Sequence, residues 1–440
     1  MYGDFSRLTF AAERGFSALW LQQGRVSVDA DVNEQTAIMQ HLVRTLAADL
    51  IGPYGGPGDA PGFGIAMTLD VGGDLDDLTI GAGHYYVDGV LCDNPNEKRF
   101  LDQPHRAPGD LPDAVPLLVY LRVFEQWVSS LDVPDIREIA LGGPDTAGRT
   151  RVVWQVLVTD RTPGTDDPLG DVSADDVRAA WADWAAALRP TGRLRAVARR
   201  PEPEPEPCRV RPESSYRGVE NQLYRVEIHT GGTAKEATFK MSRENGSACY
   251  AIESRDGLEV TLRELGPDRR LGLDVGDWVE IVDDRLVHAG RPEALRRVAA
   301  VDRLDHRVTL APPPQNVAET ATGADRDAHP FLRRWDQRPR DEDLGDDGAV
   351  RVRDGWLALE DGIEVEFDPD ATYRRGDYWL IPARVDDGDI EWPRDDGDPA
   401  FRRPFGVADH LAPLALITRD GQGDLTRTDL RSRFAPLAQP

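Results

Sequence analysis

The chain has 440 residues, of which 40% are hydrophobic, so it is long enough for about two to four domains with real cores. Lys and Arg total 52 against 78 Asp and Glu, and the net charge of -26 repels phosphate backbones and disfavours bulk nucleic-acid binding. No apolar run reaches the length of a membrane span, and the first ten residues lack the basic and apolar segments of a secretory signal. Synthesis and assembly in the cytoplasm are therefore expected, with an extracellular location only as part of a released particle.

Leu19, Leu21, Val26 and Val28 alternate with polar neighbours, which predicts a half-buried leading strand. Asp29, Asp31 and Asn33 then break the alternation. From Val32 the apolar residues change period, and Val32, Met39, Leu42, Val43, Leu46, Leu50 and Ile51 share one face of a long helix. Asp31 is expected to cap that helix, with Glu34 completing a capping box, and Gly52-Pro53 to end it. Gln35, Gln40, Arg44 and Asp49 make the opposite, polar face. A helix with such a stripe requires a partner surface, in this chain or in another subunit. Val32, Met39, Leu42, Val43, Leu46 and Leu50 are the candidate interaction residues, and 1–62 is read as a strand-helix docking element.

Gly and Pro from 52 to 64 mark a loop, and from 63 to 200 the pattern is mostly strand. Leu78-Thr79-Ile80, His84-Tyr85-Tyr86-Val87, Val115 to Leu121 and Arg151 to Val158 are short apolar or alternating runs separated by turn residues, as in an antiparallel sandwich or barrel. One helix interrupts at 173–189, with Ser173 as N-cap, Asp175 and Asp176 in the first turn, and Val177, Trp181, Trp184 and Leu188 on one face. Alternating Pro and Glu at 201–207 form a polyproline II spacer of roughly 20 Å at about 3.1 Å per residue.

Beyond the spacer, strands joined by tight turns predict a small β-barrel over 208–315. The pattern is lost from 311 to 347, and strands resume around Trp356, Ile363 and Tyr378, so 316–440 is read as a further β-rich domain. Gly376-Asp377-Tyr378-Trp379 echoes Gly276-Asp277-Trp278, too briefly to establish a repeat. The fold class is accordingly mainly β with a few helices, several sandwich or barrel modules following an N-terminal strand-helix element.

Candidate chemistry is sparse. Asp29, Asp31 and Asn33 have the opening spacing of a calcium loop, but Glu34 stands where that loop needs glycine and Gln40 where it needs a bidentate Glu. Helix capping accounts for the same residues, so no metal is expected. Carboxylate pairs such as Glu364 with Glu366, or Asp386 with Asp389, have the groups glycoside hydrolysis needs, yet 78 acids make such pairs common by chance. Trp278, Trp335, Trp356, Trp379 and Trp392 could build a sugar platform, though tryptophan more often fills cores and interfaces. No GxSxG elbow, dinucleotide fingerprint or P-loop occurs. Ser242 to Ser247 reads as a hairpin turn with Asn245-Gly246 at its tip. His41, His84, His229 and His329 lack ligand spacing, and His84 or His229 in a strand reads as a satisfied core residue. Cys92, Cys208 and Cys249 form no zinc or disulfide pattern and are expected to be reduced thiols. Neither an enzyme nor a cofactor is expected.

Lysine occurs only at Lys98, Lys235 and Lys240. An acidic, lysine-poor surface suits a high-salt cytoplasm, and a high-GC genome that favours Arg codons accounts for the same usage.

Three sets of motifs resemble a known family. The first are Gly3-Asp4-Phe5-Ser6-Arg7-Leu8-Thr9-Phe10, Leu21-Gln22-Gln23-Gly24-Arg25-Val26, Asp29 to Gln35 and Ala47 to Pro53. The second are Tyr216 to Glu227 and Ala237 to Ser247, and the third is Gly376 to Arg384. Together they resemble an uncharacterised bacterial and archaeal family that accompanies genes for phage tails and phage-like contractile injection systems. Most members carry Trp at the position of Val32, so one contact of the leading helix differs here. The family has no established catalytic residues, and the resemblance implies a setting: a baseplate, fibre or adaptor subunit. Its partners would be other subunits of the particle, with a homo-oligomer expected from tail symmetry. A carbohydrate-binding or carbohydrate-degrading tail spike, and a free-standing cytoplasmic protein, are the alternatives.

Overall fold

A computed structural model describes residues 3–105, 111–112, 114–199, 216–266, 272–291, 293–313, 322–338 and 343–435. The Pro-Glu spacer at 201–207 and Cys208 lie outside them. The described residues are mainly β, with helices α1 (Asp29–Ile51), α2 (Ala174–Ala187) and α3 (Asp284–Ala289). Contacts gather the chain into two units, each from three stretches. One holds Met1–Leu8, Trp127–Arg149 and Pro190–Val407, and the other holds Thr9–Gln126, Thr150–Arg189 and Ala408–Pro440. These units cut across the boundaries drawn from the sequence at 62, 200, 207 and 315.

In the second of these units a four-stranded antiparallel sheet runs in the order Leu425–Asp429, His410–Arg419, Leu117–Val128, Arg149–Thr159. Alternation along its central strand decides what each face buries. Leu117, Val119, Leu121 and Val123 join a core with Trp154 of the adjacent strand and with Ile80, Tyr85 and Val87 from neighbouring hairpins. Leu118 faces the other way and packs with Trp181 and Val177 of α2. Ser173 caps α2 as expected, its carboxylate partner Asp176 accepting from the Ser173 hydroxyl at 2.6 Å.

The first unit has a five-stranded sheet in the order Val350–Arg351, Thr238–Ser242, Gln222–Thr230, Tyr378–Arg384, Asp389–Ile390. Its strand Gln222–Thr230 is buried on both faces. Tyr224, Val226 and Ile228 point into an apolar core with Phe239, Met241 and Trp379, which the sheet formed by Leu194–Ala198, Ile363–Phe367 and Leu357–Ala358 closes.

Between Thr238–Ser242 and Val350–Arg351 the chain leaves this sheet and builds a closed six-stranded barrel. Its order is Cys249–Asp256, Glu259–Leu262, Arg307–Leu310, Arg296–Asp302, Trp278–Val282, Phe331–Trp335. The barrel expected within 208–315 therefore exists, but its strands run from Cys249 to Trp335. Its last strand lies in the stretch where the pattern is lost, because Phe331–Trp335 reads FLRRW and buries both faces, leaving no alternation with solvent. Asn245 and Gly246, both with positive φ, make a tight turn, as the sequence implies. It is no hairpin, however. It carries the chain from the sheet into the barrel, and the Asn245 amide accepts from Arg225 at 3.1 Å.

The leading strand does not form: residues 15–28 contain no strand or helix. The first eight residues instead pack on the five-stranded sheet, Phe5 and Leu8 lying against Leu223, Tyr378 and Leu380. Arg7 pairs with Glu391 at 3.1 Å.

Candidate interaction surface and the charged joint

Helix α1 runs from Asp29 to Ile51, three residues longer at its start than the expected Asp31 cap allows. Val28 holds the N-cap position, and Asp31, in the first turn, accepts from the Val28 N–H at 3.3 Å. Glu34 does not complete a capping box. It accepts a hydrogen bond from the Thr9 hydroxyl. Gly52 ends the helix at φ 93°, its N–H bonded to the Ala48 carbonyl, as the Gly-Pro pair predicts.

The orientation of α1 is the opposite of a globular surface helix, whose greasy stripe normally faces the core. Only Ala30 and Ile38 are buried. Val32, Met39, Leu42, Val43, Leu46 and Leu50 are 45–60% exposed. What holds the helix, beside Ala30 and Ile38, is part of its polar side. Arg44 makes two hydrogen bonds to Glu125, at 2.9 and 2.7 Å. Gln35 accepts the Leu19 N–H at 2.7 Å, and His41 meets the ring of Phe10. The turn at Asp88 and Gly89 presses against the α1 backbone at Arg44, where a Cβ on Gly89 would strike the Arg44 carbonyl. Gln35 and Arg44, read as solvent-facing, are thus the docked residues. The Glu34-Gln35 pair of the leading motif fastens the extended segment before α1, whose Trp20 is 85% exposed.

Asp29, Asp31 and Asn33 do not converge on a cation. Residues two apart on a helix project to opposite sides, and among the described residues no group of three or more His, Cys, Asp or Glu could hold a metal.

A second constellation joins the five-stranded sheet to the barrel. Alternation places Arg225, Glu227 and His229 on the face of Gln222–Thr230 opposite the apolar core, with Thr238, Lys240 and Ser242 beside them on the next strand. Glu227 and Lys240 are direct cross-strand partners. On the barrel, Glu280 and Arg333 are partners in the same way. The two charged faces meet: Lys240 donates to Glu280 at 2.6 Å and lies 3.2 Å from Glu227. Arg225 donates to Glu227 at 2.6 Å and covers the Tyr378 ring, and the Trp335 N–H donates to Glu280 at 3.1 Å.

Burial alone would raise the Glu280 carboxyl, but Lys240, His229, Arg375 and Arg333 around it hold it down to about 2. Burial raises and then Arg225, Lys240 and Arg333 more than offset the Glu227 carboxyl in the same way. His229, read as a satisfied core histidine, is fully buried with no hydrogen bond on either ring nitrogen, 3.9 Å from Glu280. Burial first, and then Lys240, push its imidazole down to about 4. Glu227, Lys240 and Glu280 are buried, so these charges hold two β modules together. The sequence carries one signal for them: charged residues set inside apolar strand runs, at period two in RVEIH, singly in FKMS and VEIV, and as an adjacent arginine pair in LRRW.

The other candidates are occupied. Glu364 and Glu366 pair with Arg199 at 3.3 Å and Arg195 at 2.6 Å, and Asp389 lies 3.5 Å from Arg394. Trp278, Trp335 and Trp379 are buried, Trp356 lies under Arg195 and Arg199, and the Trp392 N–H donates to the Ala400 carbonyl. The Cys92 thiol is buried and pushed up to about 12, chiefly by burial and then by Asp93. A cavity of about 560 Å³ opens beside Asn94, Lys98, His105, Arg151 and Trp154. Burial, then Arg151, lowers the His105 imidazole, and the Trp154 N–H is spent on the Asp93 carbonyl.

No helix among the described residues is long and apolar enough to cross a membrane. No curated protein and no solved structure gives a significant match. Residues 1–187 and 162–423 match the profile of DUF6519, and the chain belongs to that family of unknown function.

Proposed function

We propose that this protein is a non-enzymatic structural subunit of a contractile, phage-tail-like particle, in a baseplate, fibre or adaptor position, with α1 as its docking element. The observation that carries the reading is the orientation of α1: it docks on its own unit through Ala30, Gln35, Ile38 and Arg44 and leaves Val32, Met39, Leu42, Val43, Leu46 and Leu50 uncovered. Exposed apolar tracts of that extent mark interaction sites. The buried ion pairs between sheet and barrel make rigid material, which suits a part that transmits force and performs no reaction. The particle setting follows from the motif resemblance, and its partners are then neighbouring subunits. Synthesis is cytoplasmic, and the protein leaves the cell only within the particle.

Affinity purification of the tagged chain from its native cells tests this. Sheath and tube proteins should co-purify with it, and a Met39→Glu/Leu46→Glu variant should lose them. Recovery of the chain alone, or assembled tails that incorporate the variant normally, would remove the reading. Release of reducing ends from capsular sugar by the pure protein would favour a carbohydrate-degrading spike.

A further inference from the structure

The outward residues of α1 have a spacing of their own. Val32, Thr36, Met39, Val43, Leu46 and Leu50 follow one another at intervals of 4, 3, 4, 3 and 4 residues. Each position recurs every seven residues, as in a coiled-coil seam, with Thr36, Val43 and Leu50 in one alternating position and Val32, Met39 and Leu46 in the other. All six are exposed. An ordinary core-facing stripe is broader and is buried by its own domain; this one is narrow and uncovered.

The charge around the seam says what covers it. In a chain of net charge -26, the positions flanking the seam are Asn33, Gln35, Gln40, Leu42, Ala47 and Asp49, with one carboxylate among them. The charged residues Glu34 and Arg44 are turned inward to Thr9 and Glu125. A partner chosen by charge would need charges at these flanks. A second copy needs only that nothing there repels it. β-Branched Thr36 and Val43 alternating with Met39 and Leu46 suit two parallel strands.

We infer that α1 is a self-association element: two copies of this chain pack their α1 helices in parallel along the seam from 32 to 50. This rests on reading the outward face as an interface and names its occupant. Sedimentation velocity on the purified full chain at micromolar concentration should give a dimer. Met39→Glu/Leu46→Glu should weaken association by roughly a hundredfold or more, since both charges would be buried at the centre of the contact. The circular dichroism should stay as in the parent, because both positions face solvent in the single chain, while the thermal midpoint should fall and lose its dependence on protein concentration as the dimer is lost.

Val43→Cys should form an intermolecular disulfide under mild oxidation, above the background of the parent's own thiols. Parallel pairing sets Val43 against Val43, and antiparallel pairing does not. A parent that sediments as a monomer, a glutamate variant with unchanged mass, or no excess crosslink at Val43→Cys would overturn the proposal. A monomeric parent that still co-purifies with sheath and tube proteins through α1 would sink self-pairing alone and leave the docking role standing.

Discussion

The Lys240 ammonium donates to the Glu280 carboxylate across 2.6 Å, and the two residues come from different β modules of one unit. Lys240 is 1% exposed and Glu280 2%. Both charges left water when the barrel closed over the sheet. Such pairs return little net stability against a hydrophobic replacement, but removing one partner strands the other. Lys240→Met should therefore cost about 3–5 kcal/mol in urea unfolding. The double variant Lys240→Met/Glu280→Gln should cost less than the sum of the two single losses. Strict additivity would show that the two groups do not interact.

The same cluster sets an acid limit. His229 titrates at about 4 in the folded chain, below the ordinary imidazole value of about 6.5. The unfolded chain therefore binds the extra proton first, and stability falls as pH drops from about 6.5 to about 4. Glu280 is held at about 2, so its contribution is complete above the ordinary carboxyl value of about 4.3 and is lost as pH falls toward 2. Urea midpoints measured from pH 7 to pH 4 should fall steadily, and His229→Gln should flatten the upper part of that fall. An unchanged slope in His229→Gln would assign the acid sensitivity to other groups.

Gly89 controls how closely α1 sits on its unit. Its φ of 75° and its contact with the Arg44 carbonyl leave no room for a side chain. Gly89→Ala should destabilise by about 1–3 kcal/mol and speed hydrogen exchange across α1. Arg44→Ala, which removes the two bonds to Glu125, should speed exchange over the same residues. Unaltered α1 protection in both variants would mean that the helix is held from elsewhere.

The α2 cap is a simpler case. Ser173→Ala removes the hydroxyl that binds Asp176, and should cost about 1 kcal/mol with faster exchange in the first turn. Ser173→Asp should restore most of it. No loss in Ser173→Ala would leave α2 fixed by Val177 and Trp181 alone.

Local chemistry and periodicity were enough for the sequence by itself to determine that the protein is mainly β, that helices lie within 32–51 and 173–189, that Gly52 and Ser173 sit at helix ends, and that 245–246 turns. Each of these depends on residues a few positions apart. Three things were decided only by the tertiary structure. Period two places Glu227 with His229, and Thr238 with Lys240, but cannot say whether a charged face meets water or a complementary charged face. Here the closing barrel brings Glu280 against Lys240, from 40 residues further along the chain. Strand 331–335 escaped recognition for the same reason, since burial on both faces erases the alternation that solvent imposes. The seam of α1 was legible residue by residue, but which way it points was not. A helix turns its polar side inward when its own unit offers Glu125, Thr9 and the bare backbone of Gly89, and only the folded chain shows those three beneath it.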